Sequence, residues 1–199
     1  MTESNPRRPD HEIDPLFIER WSPRAFTGEA LPEPELFRMF EAARWSPSSY
    51  NSQPWRFIYA LRDTPEWDTL FDLILPGNQK WVKDTGAILF LVSNRNMKVG
   101  DEVKPSYSHS FDAGAAWQSL ALQAIRQGWH AHAMVGFDQE RSPSVLKLPD
   151  EHRVEAAIAI GRKTPHDSLT EEQRERGKPN TRRPIADFAF KGGFPPRDA

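Results

Sequence analysis

Three short clusters in this chain of 199 residues carry side chains suited to holding a ligand. The first is Arg20-x-Ser22-x-Arg24, within "RWSPRAF". Alternate spacing lets two guanidiniums and a hydroxyl converge from an extended segment, and Arg brings forked donors with permanent charge, which suits a phosphate. A plainer reading pairs these arginines with surface acids such as Glu19 or Glu29, and the cluster alone favours that plainer reading. The second is "RWSPSSYNSQPW", residues 44–55, which packs four serines, an Asn and a Gln between two tryptophans. Pro47 and Pro54 stiffen its ends, while Ser48, Ser49, Asn51 and Gln53 offer donors and acceptors for the polar edge of a flat heterocycle. A helix stop and turn accounts for about half of these residues. The third is Met134-Val135-Gly136-Phe137, where a strand ends. Glycine there admits a ligand close to the backbone, although strands often end in Gly.

Side chains for direct catalysis are missing. The sequence has no G-x-S-x-G elbow, no Walker loop and no G-x-G-x-x-G after a strand. His130 and His132 alternate along a strand, yet no carboxylate or third His at ligand spacing joins them, so a metal is not expected. Glu171-Glu172 falls in a charged stretch and reads as a solvated face. An enzyme built this way must borrow its reactive atom from a cofactor.

Composition narrows the class. The hydrophobic share of 38% and charged share of 27% suit one globular domain, and a net charge of -2 gives no reason to expect nucleic acid or an anionic membrane as partner. No cysteine is present, which excludes thiol and disulfide chemistry and fits a cytoplasmic setting. The polar start "MTESNPRRPDHEIDP" has no signal-peptide core, and runs such as "AILFLV" are too short to span a bilayer.

The elements that must position these clusters follow from periodicity. Residues 1–11 read as a flexible tail. Asp14-Pro15 caps a short helix. "LPEPELFRMFEAARW" places Leu36, Phe37, Phe40 and Ala43 at helical spacing, and Pro47 ends it. "WRFIYAL" reads as a strand, and "TPEWDTLFDLIL" as a helix broken by Pro76-Gly77-Asn78. "GAILFLV" never alternates, so it is a strand buried on both faces. Residues 93–108 read as a polar loop, suited to a lid. A helix from about Phe111 to Gln127 carries Ala113, Gly114, Ala115, Ala116, Ala121 and Ala124, small enough for another backbone to approach, and Gly128 stops it. "WHAHAMVGF" and "VEAAIAIG" are strands on either side of a short helix. Between Arg162 and Arg183 seven Lys/Arg face four Asp/Glu, a local charge of +3. That segment, ending in "PIADFAF", reads as an arm whose apolar side chains need a surface.

In order and spacing these segments resemble the FMN-dependent nitroreductase family over nearly the whole chain. The resemblance runs from "RWSPRAF" through "AARWSPSSYNSQPWRFIYA", "NQKWVKDTGAILFLV", "FDAGAAWQSLALQAIRQGW" and "HAMVGFD" to "EAAIAIGR" and "RRPIADF". It implies an α+β fold of nitroreductase-like type, with a mixed central sheet flanked by helices in an intertwined homodimer. Residues 12–163 would be the FMN-binding core and residues 164–199 an arm packed on the partner subunit, with the small-residue helix at the interface. Arg20, Ser22 and Arg24 would hold the FMN phosphate and ribityl chain, with Trp21 lending its backbone. Asn78 would meet the pyrimidine side of the ring, Val135 and Gly136 would turn backbone N–H groups toward N5, and Arg182 with Arg183 would close over the phosphate. Pro47, Ser48, Ser49 and Asn51 would reach the flavin of the other subunit. Two positions depart from the family's pattern: Val135 stands where many members have Glu, and Trp81 where many have a Lys near the C2 carbonyl. Arg24 and Lys80 are candidates to replace that charge.

The activity implied is NAD(P)H-dependent, ping-pong reduction of nitroaromatics, quinones or related conjugated small molecules through flavin N5, with no catalytic side chain. The alternatives are a specialised relative that removes a halogen, fragments flavin or oxidises a heterocycle, and a flavin-binding redox sensor without turnover.

Overall fold

The computed structural model describes residues 5–195; the ends of the expected tail (1–4) and arm (196–199) lie outside them. Asp14 accepts from the Leu16 N–H at 2.8 Å and caps helix α1 (Pro15–Glu19). Helix α2 (Glu33–Arg44) buries Leu36, Met39 and Ala43. Phe37 instead turns outward and packs edge-on with Phe40 and Tyr59.

Strand β1 (Trp55–Leu61) is followed by α3 (Trp67–Asp72) and α4 (Pro76–Val82). Pro76 does not merely break a helix: α3 ends at Asp72, and Pro76 opens α4, where its fixed φ fits and its missing N–H costs nothing. Strand β2 (Ala87–Asn94) is buried from Ala87 to Ser93, as its unbroken apolar run requires. The expected loop after it is a hairpin of β3 (Asn96–Val99) and β4 (Glu102–Pro105), turning at Gly100 with φ 62°. Neither face of the hairpin joins the core, although Met97 and Val99 alternate with Asn96 and Lys98, a strand signal that the loop reading passed over.

Helix α5 (His109–Arg126) ends ahead of Gly128 at φ 76°, and the Trp129 N–H reaches back to the Ala124 carbonyl at 2.8 Å. Strand β5 (His130–Met134), helix α6 (Ser142–Val145) and strand β6 (His152–Gly161) follow. In the C-terminal segment, helix α7 (Glu171–Gly177) starts with a capping box between Thr170 and Gln173.

The four-stranded sheet has the order β1-β2-β6-β5, and every ladder in it is antiparallel. This corrects the expectation of a mixed sheet. Strands β2 and β5 do run in the same direction, joined through α5, but β6 inserts between them and pairs antiparallel with both. No parallel pair therefore forms among the described residues.

Two apolar layers cover the sheet. Ala87, Leu89 and Leu91 face α2 and α5, and the alternate residues Ile88 and Phe90 face α3 and α4, the two-residue period of a strand covered on both sides. The class is α+β, as expected. Of the small residues on α5, Ala113, Ala116, Ala121 and Ala124 are fully buried within the chain's own core, which corrects the view of all six as an interface stripe. They let α2 pack close, and of the six only Gly114 is exposed. Among the described residues no helix is long and apolar enough to cross a membrane.

Candidate cofactor-binding site

The segment Arg20–Arg24 runs beside edge strand β5. Trp21 is buried edge-on against His130 at 5.1 Å, and the Pro23 carbonyl lies 2.8 Å from His132 Nδ1. Burying the odd positions turns Arg20, Ser22 and Arg24 the other way: Arg20 and Ser22 are half-buried and Arg24 exposed. Among the described residues none of these three side chains has a hydrogen bond or ion pair within the chain. The pairing with Glu29 is absent because Glu29 is engaged by Arg162 at 3.3 Å.

More positive charge surrounds the segment. Lys163 Nζ sits 4.5 Å from the Trp21 ring centroid. Burial, then the charges of Lys163, Arg162 and Arg20, push the His130 imidazole down to about 4. His132 is also lowered, by burial first and then by Arg24 and Arg20, against the opposing pull of the Pro23 carbonyl. Both histidines are therefore neutral near pH 7 and report a positive field. Trp21 Nε1 and His130 Nδ1 are buried without a partner.

Arg182 lies close enough to lower the Arg20 guanidinium, after burial as the main cause. It lines a groove of about 850 Å³ together with Arg183, Arg7 and Phe188. So the structure brings Arg182 to Arg20, as expected, and adds Arg7 and Lys163, which the sequence did not single out. Nothing in a polar N-terminal stretch marks Arg7 as fixed.

At the far end of β5 stands the second group. Asn78 Nδ2 donates to the Gly136 carbonyl at 3.2 Å, as does the Leu75 N–H at 3.1 Å. A Cβ on Gly136 would fall 2.2 Å from Asn78 Nδ2, so only glycine lets the two meet. Val135 is 68% exposed beside them. From His130 to Val135 is about 17 Å at the rise of a strand; the cation group and this cradle thus mark the two ends of one edge. Trp81, where a Lys was expected from the family's pattern, is buried and stacked on His132 at 4.6 Å and Phe26 at 6.0 Å. It serves the core. Lys80 and Arg24 are exposed.

The third group, Pro47, Ser48, Ser49 and Asn51, is not brought to the other two. It precedes β1, the opposite edge of the sheet, with β2 and β6 between, about 14 Å from β5 at ordinary strand spacing. Its backbone is strained: Tyr50, Asn51 and Gln53 all hold left-handed φ values of 52°, 53° and 46°, each costing on the order of 1 kcal/mol. Hydrogen bonds impose the shape. Ser48 Oγ accepts from the Gln53 N–H at 3.0 Å, Gln53 Nε2 donates to Asn51, and the Ser46 and Ser119 hydroxyls meet at 2.8 Å. The buried Asp112 carboxylate, on α5, accepts from the Ser49 N–H at 3.1 Å and from Ser108 Oγ at 3.0 Å. Asp112 was missed in the sequence; a lone acid within a run of small helical residues was its one signal.

A cation group at one end of the sheet edge and the Asn78–Gly136 pair at the other form the candidate site on this α+β scaffold. The family model described as "Nitroreductase family" matches residues 18–80 and 60–162. The chain belongs to the nitroreductase family. A solved structure described as an oxidoreductase containing FMN is 46% identical, with 98% of this chain and 99% of that one covered and a TM-score of 0.91. A nitroreductase family protein from Streptococcus pneumoniae shares the fold at 20% identity, covering 88% and 98% with a TM-score of 0.69. The NADH dehydrogenase of Thermus thermophilus is 27% identical over 173 residues, 72% of this chain and 83% of that protein.

Two outcomes are expected from this geometry. Asp112→Ala leaves two donors without their acceptor and should lower stability by about 1–3 kcal/mol, with Asp112→Asn milder, as read by urea denaturation. The His130 value is depressed from 6.5 to about 4, so between those pH values the unfolded chain binds more protons. Stability should therefore fall as pH drops from 6.5 to 4, by up to about 3 kcal/mol from this group. His130→Gln should flatten that part of the urea-midpoint profile.

Proposed function

We propose that this protein is an FMN-dependent NAD(P)H oxidoreductase, acting as a homodimer in the cytoplasm on nitroaromatics, quinones or related conjugated small molecules. The observation that carries the reading is the pair of features at the two ends of β5: unneutralised guanidiniums at one, and the Asn78–Gly136 cradle at the other. The donor sets fit FMN. Fixed cations without acids suit its phosphate, and a glycine with no room for a Cβ beside a side-chain amide suits the polar rim of a flat ring. The FMN named in the solved relative and the NADH named in the Thermus relative add support.

Arg20, Ser22 and Arg24, with Arg182 and Arg183, hold the phosphate end, and Trp21 fixes their direction by being buried. Asn78, Val135 and Gly136 hold the ring end. Bound there, FMN would supply the redox chemistry linking a reduced nicotinamide, NADH or NADPH, to the acceptor. The chain's own part is orientation and electrostatic stabilisation of negative charge; donor and acceptor share one cleft, which gives ping-pong kinetics.

Pro47, Ser48, Ser49 and Asn51 cannot close this cleft from the far edge of the same sheet, so a second copy provides them. Trp45, Tyr50, Phe111 and Phe188 are all more than half exposed and are the apolar surface such a partner covers. The segment 164–199 wraps that partner.

The test is the visible spectrum of purified protein and its response to reduced nicotinamide. A flavin spectrum that bleaches anaerobically with NADH or NADPH and returns on adding a quinone is expected. Protein that is colourless and takes up no FMN would overturn the proposal, and a flavin that bleaches negligibly slowly would mark a sensor rather than an enzyme.

A further inference from the structure

The N-terminal segment, polar and without helix or strand, is tied into the cation group. Asn5 is buried and its Nδ2 donates to the Ile18 carbonyl at 3.1 Å, while its Oδ1 accepts from the Arg7 N–H at 3.3 Å. The Arg7 guanidinium then bonds three carbonyls on two other segments. Nη1 donates to Ile18 at 3.2 Å and to Arg20 at 2.9 Å, and Nε donates to Asn180 at 2.8 Å. Ile18 and Arg20 lead into the Arg20–Arg24 segment; Asn180 lies two residues ahead of Arg182. One side chain therefore sets the spacing between the two strings of arginines.

All three acceptors are uncharged. They fix the guanidinium without neutralising it, so its full charge adds to those of Arg20 and Arg182. Burial, then Arg182 and Arg20, lower the Arg7 guanidinium, as expected for cations crowded together. Asp10 stands on the same groove wall, but among the described residues no carboxylate is within ion-pair distance of Arg7, Arg20 or Arg182. Three like charges held together by neutral groups oppose folding unless an anion relieves them.

We infer that Arg7 is a positioning residue of the cofactor-phosphate site: it spaces Arg20 and Arg182 for a phosphate dianion and supplies a third positive charge, making the N-terminal segment part of the cleft. The inference rests on the reading of that cleft as an FMN site.

The experiment compares FMN with riboflavin, which has the same ring and no phosphate, by fluorescence titration of flavin-free protein. Arg7→Ala should weaken FMN binding on the order of tenfold, the equivalent of one charged hydrogen bond, and leave riboflavin binding unchanged. Arg7→Lys, which keeps the charge but loses the forked grip, should fall between and carry the comparison if the alanine variant folds poorly by circular dichroism. Adding salt should narrow the gap between wild type and Arg7→Ala. Equal loss of FMN and riboflavin would assign Arg7 to structure alone and overturn the inference. Unchanged FMN affinity in the variant would overturn it while sparing the FMN reading. Wild-type protein that binds neither flavin would overturn that reading, and the inference with it.

Discussion

Positive charge held together without a counter-charge is the constraint on which the site depends. Arg7, Arg20 and Arg182 stand in one another's field, and the described residues offer Arg7 and Arg182 only carbonyl oxygens and the Arg20 guanidinium no hydrogen bond. Lys163 and Arg162 add to the same potential and join burial, the larger cause, in lowering His130. A fold concentrates like charge at one spot, against its own stability, where a ligand of opposite charge completes it. Everything else in the arrangement serves to aim that charge. Trp21 and the Pro23 carbonyl are pinned on the two strand histidines, so Ser22 between them and Arg20 and Arg24 on either side turn the other way.

The antiparallel order places the site as much as any single residue. Inserting β6 between β2 and β5 leaves β5 as an edge, along which the Arg20–Arg24 segment runs and past whose end Gly136 lies. The same order puts the serine-rich segment on the other edge, beside β1. Strain there is concentrated in Tyr50, Asn51 and Gln53 and is sustained by Asp112 from the buried face of α5. On the proposed reading, the cleft is complete only when a second copy brings this loop to it.

Much of this was legible in the sequence. "GAILFLV" announced itself by its lack of alternation, whereas the spacing of Arg20-x-Ser22-x-Arg24 left surface ion pairs the plainer reading until the resemblance pointed to a phosphate. Asn78 and Gly136, far apart in the chain, were linked by resemblance and do touch. What could not be read has physical reasons. Arg7 sits in a segment whose composition matches solvated tails, and its role comes from carbonyls 11, 13 and 173 residues away. The antiparallel sheet was hidden because strand direction depends on where β6 inserts. The hairpin of β3 and β4 is open on both faces, and its one alternation, Met97 and Val99 against Asn96 and Lys98, spans only four residues within a polar stretch. Small residues on α5 were read as an interface because size alone does not say which backbone approaches.

The central claim is that each cleft takes its arginines from one subunit and its serine-rich segment from the other. A dimer assembled from one Arg20→Ala chain and one Asn51→Ala chain tests it directly, by FMN titration. One site of wild-type affinity per dimer, beside one severely weakened site, is the predicted result; two sites impaired to a similar degree, each by its own chain's substitution, would contradict it.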